Sequence, residues 1–127
     1  MKILEELIKV ERAAFENVDG TLRVAAELSA RRDSAVYQGH FPGQPVTPGV
    51  LMLQAVTELL SQAAGKPLAL QKVNNVKYLA MMGPDDIDGA TLTATLAPDQ
   101  VVTAAYTKGD KTYAKMKLTL TPLFYNL

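Results

Sequence analysis

The chain contains no cysteine, which excludes disulfide bonds, thiolate catalysis and a zinc site built on cysteine. It also has no excess of either charge, because thirteen Lys and Arg balance thirteen Asp and Glu. We therefore expect no long-range field that attracts nucleic acid or an anionic membrane. No uninterrupted apolar run reaches the roughly 18 residues that a membrane-spanning helix needs.

The remaining composition is that of one globular domain. The chain has 127 residues, of which 48% are hydrophobic and 20% charged, and we treat 1–127 as a single domain. The first residues, MKILEELIKV, carry two glutamates inside an apolar stretch, unlike a secretory signal. We therefore expect a cytoplasmic protein.

Alternating apolar residues predict antiparallel strands, mostly in the second half of the chain. The predicted strands are 21–29, 72–82, 91–96, 101–107 and 112–120. The connection KGDK, 108–111, has the composition of a tight hairpin, and GPDD, 83–86, that of a turn. Together these signals predict an antiparallel meander in the C-terminal half.

One long helix is predicted over PGVLMLQAVTELLSQAA. Thr47 is placed to cap it, Pro48 suits its first position, and Gly65 can end it. Apolar residues cover nearly its whole circumference, which predicts a buried helix wrapped by the sheet. A narrow polar stripe remains on one face and consists of Gln54, Thr57, Glu58, Ser61 and Gln62. A further short helix is predicted at ILEELI.

The only histidine, His40, lies in a loop rich in proline and glycine that leads to the start of this helix. Unpaired amides there favour developing negative charge. An imidazole beside them could move a proton while the amides hold a carbonyl oxygen. Glu58 could complete an acid–base pair, and Gln54 lies one turn closer to the helix start. The alternatives are a structural His40, and a Glu58 and Gln54 that only satisfy backbone groups.

The string HFPGQPVTPGVLMLQA, 40–55, resembles the signature of the 3-hydroxyacyl-(acyl carrier protein) dehydratases of fatty-acid synthesis. The resemblance implies an α+β hotdog fold, with an antiparallel sheet wrapped around one long buried central helix. It implies dimers in which the histidine and the helix carboxylate of one site come from different subunits. It also implies a substrate carried on phosphopantetheine, and we expect no metal and no other cofactor.

By this resemblance, His40 removes the α-proton of a 3-hydroxyacyl thioester and the Gly49 amide holds the thioester carbonyl. Phe41 and Pro42 belong to the loop that sets the imidazole, and Val50 completes the substrate-binding set. The chemistry agrees with the reading from residues alone, because removal of an α-proton creates enolate-like charge that a helix N-terminus stabilises.

One departure from the family pattern concerns the proton donor. The family's catalytic glutamate or aspartate falls at position 54, where this chain has Gln54, an amide that cannot give the leaving hydroxyl a proton. Glu58 lies one turn further along, roughly 5–6 Å away. It would need a water molecule or a changed substrate pose to act instead.

A second departure concerns the carrier protein. A basic family segment resembling KFRRPVxPGD is here KYLAMMGPDD, 77–86, in which both arginines are replaced. Docking of an acidic carrier would then depend on Arg31, Arg32, Lys72 and Lys77.

Three functions remain open. The first is dehydration of 3-hydroxyacyl thioesters on acyl carrier protein to trans-2-enoyl thioesters, in fatty-acid or specialised polyene or lipid synthesis. His40 would be the base, and Glu58 or a water held by Gln54 the proton donor. The second is a catalytically weak or silent hotdog subunit that pairs with an active dehydratase paralogue. The third is acyl thioester hydrolysis with Glu58 as base or nucleophile.

Overall fold

The computed structural model describes residues 1–39 and 43–123. The elements in this part of the chain are α1 (Ile3–Glu6), β1 (Ile8–Val18), β2 (Thr21–Ala30), α2 (Ala35–Gly39), α3 (Gly49–Ala64), β3 (Leu68–Tyr78), α4 (Pro84–Ile87), β4 (Thr91–Leu96), β5 (Val101–Lys108) and β6 (Lys111–Pro122). Within these two ranges, no helix is both long and apolar enough to cross a membrane.

The six strands form one antiparallel sheet in the order β1-β2-β4-β5-β6-β3. β1 and β3 are therefore the edge strands. β3 precedes β4 in the chain but lies at the opposite edge of the sheet from β1, next to β6. α3 packs on the inner face of the sheet. This arrangement confirms the predicted sheet wrapped around one long helix.

The helix α3 supplies the centre of the core. Its buried residues are Met52, Leu53, Ala55, Val56, Leu59 and Leu60. Gly65 ends it in the left-handed conformation, with φ 69°, as predicted. The predicted cap is wrong, because α3 begins at Gly49 and Pro48 occupies the N-cap position without a side-chain hydrogen bond. The Thr47 hydroxyl instead shares a hydrogen bond with the Tyr37 hydroxyl.

The predicted C-terminal meander, β4-β5-β6, is confirmed. One face of each strand is buried, as the alternation required. The buried residues on β4 and β6 include Leu92, Ala94, Leu96, Ala114, Met116, Leu118 and Leu120. Gly109 has φ 57° in the turn between β5 and β6, a conformation that glycine adopts without strain.

The structure differs from the sequence reading at four further places in the fold. The strand predicted at 72–82 is β3, Leu68–Tyr78, and the residues of the predicted turn at 83–86 form the N-cap and first residues of α4. The Gly83 amide donates to the Asp86 carboxylate over 2.9 Å, which starts that short helix. β1 and α2 were not predicted. β1 is exposed along nearly its whole length. It therefore lacks the alternation of apolar and polar residues by which the other strands were predicted.

Asp88 ties the end of β2 to the chain after α4. Its carboxylate accepts a hydrogen bond of 2.7 Å from the Ala30 amide and forms an ion pair with Arg32. The Ala30 amide first, and then Arg32, hold the pKa of Asp88 below its ordinary value. A carboxyl with a lowered pKa stabilises the folded state above its unfolded-state pKa, and this contribution is lost as pH falls through the folded-state pKa.

We therefore expect Asp88→Asn to flatten the fall in unfolding free energy between about pH 5 and pH 3, because this carboxyl then no longer takes up a proton. Urea denaturation across this range measures the effect. Asp110→Asn, at an exposed hairpin position, is the matched control. The same acid sensitivity in Asp88→Asn and in the unmodified protein would contradict the expectation.

Candidate active site

Described residues on either side of His40 are joined by a hydrogen bond. His40, Phe41 and Pro42 lie outside the described residues. Before them, Tyr37 of α2 is buried, and its hydroxyl lies 2.8 Å from that of buried Thr47 beyond the loop. The Thr47 amide donates to the Met82 carbonyl over 2.7 Å. This clamp joins the loop to the start of α3.

Sequence reasoning missed Tyr37, because nothing in the local pattern pairs it with Thr47. Burial raises the pKa of Tyr37, so its hydroxyl stays protonated and available for this hydrogen bond at neutral pH.

The start of α3 presents an amide beside an aromatic ring. No hydrogen bond among the described residues uses the Gly49 N–H, as is usual for the first turn of a helix. A Cβ built on Gly49 would lie 2.5 Å from Cζ and 2.7 Å from the hydroxyl oxygen of Tyr78. Glycine is therefore required for the ring to lie there. Val50 follows as an exposed residue.

Tyr78 is a site residue that the sequence reading did not identify. It is the last residue of β3 and is 49% exposed, and partial burial raises its pKa. The sequence offered one signal for Tyr78: it stands in KYLAMMGPDD where the family segment KFRRPVxPGD has phenylalanine. The tyrosine adds a hydroxyl at the start of α3.

The Glu58 carboxylate holds the N-terminal helix. Its two oxygens accept hydrogen bonds from the amides of Ile3 and Leu4, each of 2.9 Å. Gln54 donates from Nε2 to the Met1 carbonyl over 2.7 Å and to Glu58 Oε2 over 3.0 Å. The two stripe residues named as candidate proton donors therefore both bind the segment that contains α1.

These contacts affect what Glu58 can do chemically. Both carboxylate oxygens are already engaged, Oε1 by the Leu4 amide and Oε2 by the Ile3 amide and Gln54. Ser61, further along the same stripe, accepts from the Leu68 amide over 3.1 Å and so ties α3 to β3. The arrangement favours the alternative in which the stripe satisfies backbone groups, and the acid role of Glu58 stays a prediction.

The four predicted docking cations fall into two groups. Arg31 is half-buried and donates to the Leu4 carbonyl over 2.9 Å. Arg32 forms ion pairs with Asp85 and Asp88. Lys72 and Lys77, on β3, are exposed and form no ion pair within the two described ranges. Only the two lysines remain available to an acidic partner.

Comparison with known proteins identifies the family. The model of the ApeI-like family, described as the ApeI dehydratase, matches residues 16–117. The chain belongs to the ApeI-like family. Its match to the 3-hydroxyacyl-[acyl-carrier-protein] dehydratase FabZ of Oenococcus oeni is 32% identical over 102 residues, which is 75% of this chain and 69% of that protein. The stretches matched in other FabZ dehydratases span as little as 40% of their length. The resemblance found in the sequence is confirmed.

Solved structures show that this ApeI-like chain has the predicted hotdog fold. An uncharacterized protein from Erwinia carotovora subsp. atroseptica superposes with a TM-score of 0.73 and 28% identity, over 92% of this chain and 98% of that one. The dehydratase heterocomplex ApeI:P from Xenorhabdus doucetiae superposes with a TM-score of 0.65 and 20% identity, over 87% and 95% of the two chains. The second likeness is one of fold.

We expect Glu58→Ala to release α1 from α3. The amides of Ile3 and Leu4 lose their acceptor, so the unfolding free energy should fall by about 1–3 kcal/mol. Urea denaturation measures the loss, and amide hydrogen exchange at these two residues should become faster. Gln62→Ala is the matched control, because Gln62 is exposed on the same stripe. Protected amides in Glu58→Ala would show that the carboxylate does not anchor α1.

Proposed function

We propose that this chain dehydrates 3-hydroxyacyl thioesters on acyl carrier protein as one half of a paired hotdog assembly. In this assembly the partner subunit supplies the proton for the departing hydroxyl. The observation that carries the proposal is the position of the Glu58 carboxylate, bound to the Ile3 and Leu4 amides. Position 54, where the family pattern has a carboxylate, holds Gln54.

The residues that remain suit the other half of the reaction. His40 takes the proton from the α-carbon, the electron pair forms the carbon–carbon double bond, and the 3-hydroxyl leaves as water once the partner's acid has protonated it. The Gly49 N–H, which donates to no described acceptor, holds the thioester carbonyl oxygen as charge develops. Phe41 and Pro42 set the imidazole, and Val50 contacts the acyl chain.

The edge strand β3 supports pairing with a second subunit. Leu70, Val73 and Tyr78 lie on the face of β3 turned towards α3, yet they are 41%, 47% and 49% exposed. β3 is 11 residues long, and its outer edge pairs with no other described strand. A long edge with exposed apolar residues favours pairing with another strand. The existence of a dehydratase heterocomplex of the same fold supports an unlike partner.

The pairing determines how many complete sites form. The resemblance puts the histidine and the helix carboxylate of one site on different subunits. Two identical copies of this chain would then combine His40 with Gln54 at both sites. A paralogue that keeps its carboxylate would combine it with His40 at one site of the pair. The mixed assembly therefore contains one complete site.

Two alternatives require Glu58 to be free. One is dehydration by a pair of identical chains with Glu58 as proton donor, and the other is thioester hydrolysis with Glu58 as base. In both, the carboxylate must reach the substrate. Its contacts with α1 do not favour either. A water molecule held by Gln54 remains an alternative donor, and it too would act in a pair of identical chains.

Mixing two variants tests the shared site. The double variant His40→Ala/Gln54→Glu lacks the base but restores the carboxylate, and the unmodified chain has the reverse. Each should dehydrate a 3-hydroxyacyl-carrier thioester only at background rate. After subunit exchange the mixture should become active, because a general acid contributes about 10²–10⁴-fold. With random pairing, about a quarter of the sites in the mixture are complete, whereas all sites of a Gln54→Glu dimer are complete. Loss of water, followed by mass spectrometry, measures turnover.

Two control variants make this test decisive. Gln54→Glu alone should restore both sites. Gln54→Glu/Glu58→Gln removes the repulsion between neighbouring carboxylates but also one acceptor of the α1 amides, so it should be active only where urea denaturation shows it folded. An inactive mixture beside an active Gln54→Glu dimer would rule out the shared site. An unmodified chain as active as Gln54→Glu would rule out the partner's proton donor.

A further inference from the structure

Tyr78 places a hydroxyl group beside the first turn of α3. In the strand register Tyr78 lies opposite Ala114, which is fully buried on the inner face of the sheet. The ring therefore stands on the side of the sheet that faces α3. A Cβ built on Gly49 would lie 2.7 Å from the Tyr78 hydroxyl oxygen. Backbone bond lengths then put that oxygen at most roughly 5 Å from the Gly49 nitrogen.

The Tyr78 hydroxyl differs from the other described tyrosine hydroxyls in its hydrogen bonding. Those of Tyr37, Tyr106 and Tyr113 each bind an oxygen atom within the chain over 2.8–2.9 Å. The Tyr78 hydroxyl forms no hydrogen bond with any residue in 1–39 or 43–123. Partial burial raises the pKa of Tyr78, so its hydroxyl is protonated at neutral pH. It is therefore a donor without a described acceptor.

We propose that the Tyr78 hydroxyl donates a second hydrogen bond to the thioester carbonyl oxygen of the substrate, beside the bond from the Gly49 amide. This inference rests on the proposed function and adds a catalytic residue to the same site. Removal of the α-proton moves negative charge onto that oxygen, and donors already in place stabilise the charge as it develops. The hydroxyl keeps its proton throughout, so it donates a hydrogen bond and transfers nothing.

Packing accounts for the Tyr78 ring but not for its hydroxyl. The ring occupies the space that a side chain at Gly49 would take, because a Cβ there would lie 2.5 Å from Cζ. A phenylalanine ring, as in the family segment KFRRPVxPGD, would fill the same space. The hydroxyl adds no hydrogen bond among the described residues, so its contribution has to come from another partner. The substrate carbonyl proposed to bind the Gly49 amide supplies such an acceptor.

Pairing of two subunits along β3 is compatible with this role. Strands pair through backbone N–H and C=O groups, whereas the Tyr78 ring stands on the face turned towards α3. The Tyr78 side chain is 49% exposed and Val50, in the first turn of α3, is 68% exposed. The start of α3 is therefore open to a ligand in the single chain. A partner along the edge leaves the ring in place beside the shared site.

Binding of two substrate analogues to the full chain tests the hydrogen bond without turnover. The first is a pantetheine ketone, in which a methylene group replaces the thioester sulfur and the carbonyl remains. The second is a pantetheine thioether of the same chain length, which lacks the carbonyl. We expect Tyr78→Phe to weaken binding of the ketone about three- to tenfold, because one hydrogen bond is lost. Binding of the thioether should change by less than about twofold. Titration calorimetry measures both affinities.

Tyr113→Phe is the matched control. It removes a tyrosine hydroxyl from the neighbouring strand β6, but that hydroxyl binds the Asp86 carboxylate over 2.9 Å. The control should lower the urea midpoint and leave the binding of both analogues unchanged. Tyr78→Phe should leave the urea midpoint unchanged, because its hydroxyl binds no described residue. A variant that weakened binding only through damage to the fold would lower the midpoint.

Turnover gives a second measurement of the same hydrogen bond. In the Gln54→Glu dimer, Tyr78→Phe should lower kcat for a 3-hydroxyacyl-pantetheine thioester by about 10²-fold, as removal of an oxyanion donor does. KM should change much less, because the bond strengthens as charge develops on the carbonyl oxygen. Tyr113→Phe in the same dimer should leave kcat within about twofold of the parent.

The outcomes distinguish this inference from the proposed function. Equal affinity of the ketone for Tyr78→Phe and the unmodified chain, or no affinity for either, would overturn the hydrogen bond to the carbonyl. Equal weakening of the ketone and the thioether would also overturn it, since the hydroxyl would then act at another part of the ligand. A loss confined to the ketone would support it even if the subunit-mixing experiment detected no dehydration, in which case the proposed function alone would fail.

Discussion

The Glu58 carboxylate, bound between two backbone amides of α1, is the constraint on which this account depends. Its hydrogen bonds with Ile3 and Leu4 bring the N-terminal segment onto the central helix. The side chains of Ile3 and Leu4 are buried in the core as a result. Arg31 binds the Leu4 carbonyl from the other side, so two charged side chains from distant elements hold one short helix. Such hydrogen bonds to charged groups are among the stronger ones in proteins.

The oxygens of the same carboxylate are engaged within the chain, and proton transfer to a substrate would compete with these contacts. In the family pattern the acid stands one turn earlier, where Gln54 is found here. Gln54 also contacts the N-terminal segment, through the Met1 carbonyl. The base half of the site is built differently, because the Tyr37–Thr47 hydrogen bond clamps the motif loop and the Gly49 amide is left without a described acceptor. The two polar residues of α3 that were candidates for the acid half are thus both used to hold the N-terminal segment.

Local patterns in the sequence were enough for the elements that bury one face. The β4-β5-β6 meander alternates cleanly, and α3 was predicted to within one residue because Gly65 marks its end. β1 was not predicted because most of it is exposed and it shows no alternation. Its best signal in the sequence is the Asp19-Gly20 pair, which forms the turn to β2 with positive φ at both residues. The contacts of Glu58 with α1 and of Tyr78 with Gly49 join residues far apart in the chain. No local periodicity encodes such pairs, so these contacts could not be predicted from the sequence.

The most direct test of the central claim is the rate at which the purified chain, alone and at several concentrations, dehydrates a 3-hydroxyacyl-carrier thioester before and after Glu58→Gln. If Glu58 serves α1 and not the substrate, the unmodified chain gives only a background rate, and Glu58→Gln leaves that rate unchanged. Dehydration far above background that Glu58→Gln reduces by about 10²-fold or more would contradict the account, since the carboxylate would then be the proton donor.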